Sequence, residues 1–114
     1  MAVILYVDDE EAVRRAVAAW LTRRGHVVHA AASIAAAVDL LESKRVDGAF
    51  VDLWIGGESG LQLRELIDEH RPDLSDHVVL VTGDPHSSPT GRPVLAKPFD
   101  LAALDAFVER WTGG

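Results

Sequence analysis

Two hydrophobic rhythms alternate along the chain. Short unbroken apolar runs, AVILYV at residues 2–7, HVVHA at 26–30, GAFVDL at 48–53, HVVLVT at 77–82 and VLA at 94–96, read as buried strands. Between and after them, apolar residues recur three and four apart, first as Val13, Ala16, Val17, Trp20 and Leu21, then as Ile34, Ala37, Val38 and Leu41. Leu63, Leu66 and Ile67 make a third set, and Leu101, Leu104, Val108 and Trp111 a fourth. Each set is one buried stripe of a helix. The punctuation agrees: acidic residues open the first helix and Arg23-Arg24-Gly25 close it, Ser33 and Asp100 stand as N-caps, Lys44-Arg45 end the second helix, Gly60 opens the third, and Pro72 closes the region after it.

Strands alternating with helices predict a parallel sheet covered on both faces, an α/β three-layer sandwich. The expected form is flavodoxin-like (βα)5, its five strands in the order 2-1-3-4-5, with ligands at the carboxyl ends of the strands. One connection breaks the rhythm. Residues 83–93, GDPHSSPTGRP, hold three prolines and no apolar stripe, so the fourth helix is expected to be missing or vestigial. Ten extended residues reach roughly 33 Å, ample to return over a strand of about 17–20 Å. One sheet face is then left partly uncovered, and it is the candidate contact surface for a partner or for a homodimer.

Composition narrows the function. At 114 residues the chain is expected to form one domain, residues 1–114. The absence of cysteine removes disulfides and thiolate chemistry, and the five histidines show no metal-ligand spacing. A formal charge of -7 disfavours direct nucleic-acid binding. No apolar run is long enough to cross a membrane, and none is framed as a signal peptide, so no membrane partner and a cytoplasmic location are expected.

The candidate chemistry collects at the strand ends: Asp8 and Asp9 after the first, Asp52 on the third, Thr82 on the fourth, Lys97 after the fifth. In the expected strand order, the first and third strands are neighbours, so three carboxylates meet in one cleft. Like charges this close need a counterion. A hard divalent cation such as Mg²⁺ suits carboxylate oxygens, Lys97 adds an ammonium and Thr82 a hydroxyl. Such a site fits phosphoryl transfer, with Asp52 as nucleophile. Glu10 and Glu11 read as helix-start residues.

Val7-Asp8-Asp9-Glu10, Val51-Asp52-Leu53 with Gly60 eight residues beyond the Asp, Val81-Thr82-Gly83 and Lys97-Pro98-Phe99 together resemble the signature of response regulator receiver domains from two-component systems. The resemblance implies that Asp52 accepts phosphate from a histidine kinase or a phosphotransfer protein. It implies Mg²⁺ held by Asp8, Asp9, Asp52 and the main-chain oxygen of Trp54, with Thr82 and Lys97 sensing the phosphoryl group, and it suggests a cis Lys97-Pro98 bond. Such a domain assists its own phosphorylation and dephosphorylation and is not a dedicated enzyme. Three departures stand out: Val94 where the family has a switch aromatic, Gly56 where a proline commonly lies, and the loop in place of the fourth helix. They imply an output face that is not the standard one. Beside this reading stand a degenerate receiver serving as an interaction module, a small Mg²⁺-dependent phosphotransferase or phosphatase, and a flavin or nucleotide binder, the last opposed by the acidic turn after the first strand.

Overall fold

In the computed structural model, which describes residues 1–84 and 93–112, every residue of the first strand β1 (Val3–Val7) is buried. The same holds for β3 (Gly48–Asp52) and β6 (Val78–Thr82), so these three form the middle of a sheet covered on both faces. With β2 (Val27–Ala31) and β7 (Val94–Ala96) at the edges, the sheet has five parallel strands in the order β2-β1-β3-β6-β7. Counted along these strands alone, that is the expected 2-1-3-4-5. A separate two-residue hairpin, β4 (Trp54–Ile55) with β5 (Glu58–Ser59), follows β3.

The helices are α1 (Glu11–Arg23), α2 (Ile34–Ser43), α3 (Gly60–His70) and α4 (Ala103–Trp111). Alternation along the strands sorts the core into two layers. Leu5, Val7, Ala49, Val51, Val78 and Leu80 face α2 and α3, where they meet Ile34, Ala37, Leu41, Leu63 and Ile67. Ile4, Tyr6, Phe50, Val79, Val81 and Leu95 face α1 and α4, where they meet Val17, Leu21, Leu104 and Val108. Ser33 caps α2 by accepting the Ala36 N–H, as its position promised.

Elsewhere the boundaries shift. A 3-10 helix at Pro72–His77 takes the start of the expected fourth strand. Asp100 accepts the Ala102 N–H at 3.2 Å, forming a turn ahead of α4 instead of its first cap. The second strand begins at Val27 because the His26 main-chain N–H donates to the Leu21 carbonyl at 3.1 Å, while its Nδ1 accepts the N–H of Ala2 at 3.0 Å. The expectation about the missing fourth helix falls on residues 85–92 and lies outside the described residues.

Two glycines are required by close approach. A Cβ on Gly48 would enter the ring of Trp111, which lies flat on the start of β3, and one on Gly60 would strike the main-chain carbonyl of Asp52. Gly60 also donates its N–H to the Leu53 oxygen at 2.8 Å. The first turn of α3 is thereby drawn against the end of β3, directly beneath the acidic residues.

Candidate phosphoryl-transfer site

The register sets the site. Val7 pairs with Val51, and Asp52 with Val81, so the ends of β1, β3 and β6 lie side by side. Ligand oxygens of Asp8, Asp9 and Asp52 fall within 4.8 Å of one another, as expected from the strand order. Asp8 is fully buried, Asp52 nearly so, and Asp9 is exposed.

Lys97, half-buried after β7, brings its Nζ to 2.6 Å from Asp52 Oδ2 and 2.8 Å from Asp8 Oδ2. Burial by itself would lower the pKa of this ammonium, but the bonds to Asp52 and Asp8 outweigh that, and the net direction is upward. The Lys97-Pro98 bond is cis. Thr82 is buried at the end of β6; its carbonyl accepts the Lys97 N–H at 2.7 Å, and its hydroxyl oxygen accepts the Asp84 N–H at 3.0 Å. By alternation Thr82 follows Val78 and Leu80 onto the α2/α3 face, whereas Asp8 and Asp52 follow Tyr6 and Phe50 onto the α1/α4 face. Trp54 donates its N–H to Asp52 Oδ1 at 3.0 Å, and the residue is 67% exposed.

Several participants were given no site role from the sequence. The buried hydroxyl of Tyr6 donates to Asp8 Oδ2 at 3.1 Å. Burial, then the neighbouring carboxylate of Asp8, pushes its pKa far up, so it remains a donor at any ordinary pH. Glu10 donates its N–H to Asp8 Oδ1 at 3.0 Å and brings its own carboxylate to 3.6 Å from Lys97, in addition to starting α1. Arg14 reaches back to the Asp8 carbonyl at 2.8 Å, and Gly56 donates its N–H to Asp9 Oδ2 at 3.1 Å. The signal for Tyr6 was its place two residues before Asp8, on the same side of the strand. For Gly56 it was the Gly56-Gly57 pair, a hairpin-turn dipeptide.

A groove of about 490 Å³ opens beside the cluster, walled by Val13, Ala16, Phe99 and Leu101, with Glu10 and Lys97 at its margin.

Comparison with known proteins decides the family. The sequence profile of the response regulator receiver domain matches residues 4–109. The chain belongs to the response regulator receiver domain family. It therefore falls among the phosphorelay modules of two-component signal transduction, a family whose members are generally not dedicated enzymes. This receiver domain is 32% identical to the DNA-binding transcriptional regulator NtrC of Azospirillum brasilense over 96% of its own length, and 31% identical to the heme response regulator HssR of Staphylococcus epidermidis over 88%. It spans only 24% and 46% of those two proteins. Among solved structures, NtrX from Brucella abortus in complex with ATP superposes with a TM-score of 0.85 at 29% identity, over 96% of this chain and 26% of that one. TrrA from Thermotoga maritima, in complex with Mg²⁺-BeF, superposes with a TM-score of 0.85 over 97% of this chain and 99% of that one; at 24% identity it speaks for the fold. Among the described residues of the receiver domain, no helix is long and apolar enough to cross a membrane.

Proposed function

We propose that residues 1–114 form a single receiver unit that accepts a phosphoryl group on Asp52 from the phosphohistidine of a histidine kinase or a phosphotransfer protein. The observation that carries this reading is the half-buried ammonium of Lys97 shared between Asp8 and Asp52, inside a cluster where carboxylates still outnumber cations. A hard divalent cation fits that donor set, since oxygens alone face it and neither imidazole nor thiolate is among them. Asp8, Asp9, Asp52 and the main-chain oxygen of Trp54 would hold Mg²⁺. When bound, it supplies charge neutralisation for the anionic groups that must meet there.

The chain's own residues do the rest. Tyr6, Lys97 and the Glu10 amide fix Asp8, and the Trp54 amide and Lys97 fix Asp52, so little reorganisation is needed as charge develops. An Asp52 carboxylate oxygen attacks phosphorus. The P–O bond forms as the P–N bond to the donor imidazole breaks, and that nitrogen leaves with the electron pair. Lys97 then balances the acyl phosphate, and the Thr82 hydroxyl turns from Asp84 to bond its oxygens. The groove walled by Val13, Ala16, Phe99 and Leu101 borders Lys97, which gives the donor protein an apolar seat next to the acceptor. Output passes through protein contacts by a face that lacks the family's switch aromatic, because Val94 stands in its place.

Incubation with acetyl phosphate and Mg²⁺ followed by intact mass measurement tests the reading. Wild type gains one phosphate and Asp52→Asn gains none. Equal labelling of the two, or none of either, overturns it. A phosphotransfer profile against purified kinases then identifies the donor.

A further inference from the structure

Three carboxylates at this site are met by three main-chain amides, and two of those amides belong to the β4–β5 hairpin. Glu10 N–H bonds Asp8 at 3.0 Å, Trp54 N–H bonds Asp52 at 3.0 Å and Gly56 N–H bonds Asp9 at 3.1 Å. Residues 54 and 56 are two apart on one short strand and its turn, so their amides leave the same edge of the chain. The hairpin closes on Gly56 and Gly57, with φ of 58° and 86°, between the pairs Ile55 with Glu58 and Trp54 with Ser59. Two positive φ values in a two-residue loop make a type I′ turn, which glycine enters without strain. A proline at position 56 would have no N–H to give and a φ fixed near −65°.

Asp9 is the carboxylate with most to gain. Asp8 is buried and Asp52 nearly so, while Asp9 is exposed, so without a tether its side chain would sample rotamers that turn away from its neighbours. A bond from Gly56 to one oxygen limits that sampling and leaves the other oxygen to a cation. We infer that the β4–β5 hairpin is a positioning element of the cation site, in which the Gly56 amide holds Asp9 toward Asp8 and Asp52. This inference rests on the proposed Mg²⁺-dependent function and adds to it a device that this sequence acquires by carrying Gly-Gly after the acceptor strand.

The test separates the amide from the shape of the turn and both from the functional reading. Amide exchange of the ¹⁵N-labelled chain, followed by NMR without Mg²⁺, reports the tether: Gly56 exchanges about threefold to tenfold more slowly in wild type than in Asp9→Ala, the range a bond to a solvated carboxylate gives. Calorimetric Mg²⁺ titration then compares variants. Gly56→Pro, which removes the donor, weakens uptake about threefold to tenfold. Gly56→Ala and Gly57→Ala strain the same turn but keep the Gly56-position N–H, and they stay within about twofold of wild type. Unchanged exchange in Asp9→Ala, or equal weakening by Gly56→Pro and Gly56→Ala, overturns the inference alone. Absence of Mg²⁺ uptake by wild type overturns the functional reading and the positioning role together, even with the exchange difference intact.

Discussion

On the α1/α4 side of the sheet Tyr6, Phe50, Phe107 and Trp111 pack ring against ring, with Phe50 centred 5.0 Å from Trp111 and 6.0 Å from Phe107, whereas the buried layer on the α2/α3 side is aliphatic throughout. The aromatic side ends in Asp8 and Asp52, with Lys97 reaching over them. The aliphatic side ends in Thr82, which pairs with Ala96, and two positions earlier on the same edge Val94 pairs with Leu80. Rings with few rotamers and large buried area make a stiff platform, and a stiff platform suits groups that must hold their places while charge moves. Among the described residues, the aliphatic side has no comparable ring to swing. On the proposed function, the acceptor carboxylates stand on the ring-packed face of the sheet and the Thr82 that senses the phosphoryl group on the aliphatic one.

The largest expected break in this contrast is Phe50→Ala. It removes the ring at the centre of the aromatic layer, two residues before Asp52, and is expected to cost about 3–5 kcal/mol. Chemical denaturation measures the loss. Leu80→Ala, on the other face of the neighbouring strand, falls in the overlapping range of about 2–5 kcal/mol. The two separate in phosphorylation: acetyl phosphate labelling measured where both variants are still folded drops in Phe50→Ala and holds in Leu80→Ala. Equal retention of labelling would show that the aromatic layer does not support the site.

Lys97→Met comes next. It leaves Asp8 and Asp52 facing each other without the ammonium, and breaking a buried pair in this way costs about 3–5 kcal/mol, reduced here because Lys97 keeps some contact with solvent. If the site takes up Mg²⁺ as proposed, added Mg²⁺ restores more stability to Lys97→Met than to wild type. The pH dependence has a definite sign. An unfolded lysine gives up its proton near 10.5, and the folded ammonium holds its proton beyond that, so its contribution is whole below about pH 10.5 and is lost as pH rises through the folded value. Wild-type stability therefore falls through that alkaline window, with a slope Lys97→Met lacks.

Much of the contrast could be read in the sequence, and the unread part has a common cause. The three central strands showed themselves as runs because a doubly covered strand must be apolar at nearly every position, the edge strands as shorter ones, and Asp8, Asp52 and Lys97 showed as charges at the ends of those runs. What escaped depends on polar side-chain partners and short pairings that hydrophobic periodicity does not report. Tyr6 counted as one more β-former until its hydroxyl was found on Asp8. Trp20 was read as packing, yet its indole N–H donates to Asp105 at 3.1 Å while Arg24 stacks 3.8 Å over its ring and binds the same carboxylate at 2.9 Å, joining α1 to α4. The β4–β5 hairpin was missed because two-residue strands carry no periodicity; only Gly56-Gly57 marked it.

Tyr6→Phe sharpens the comparison at smaller scale. It keeps the ring in the aromatic layer and deletes only the donor to Asp8, so packing and charge support are separated. The expected loss is about 1.5–3 kcal/mol, the usual worth of a bond to a charged acceptor. Near-zero loss would mean that the remaining donors, Lys97 and the Glu10 amide, suffice for Asp8.

Val94→Phe has the smallest expected effect and bears most directly on the readout. Position 94 is half-buried on the aliphatic side, opposite Leu80 and on the face that Thr82 shares. Overpacking a closed core costs about 1–3 kcal/mol, but a partly exposed edge position lets a ring turn outward, so a change under about 1 kcal/mol is expected. Labelling by acetyl phosphate should stay within about twofold of wild type, because the aromatic layer and the acidic cluster lie across the sheet. If labelling instead falls tenfold while stability holds, the two faces are coupled through β6, and the division of acceptor chemistry from readout drawn from their composition is wrong.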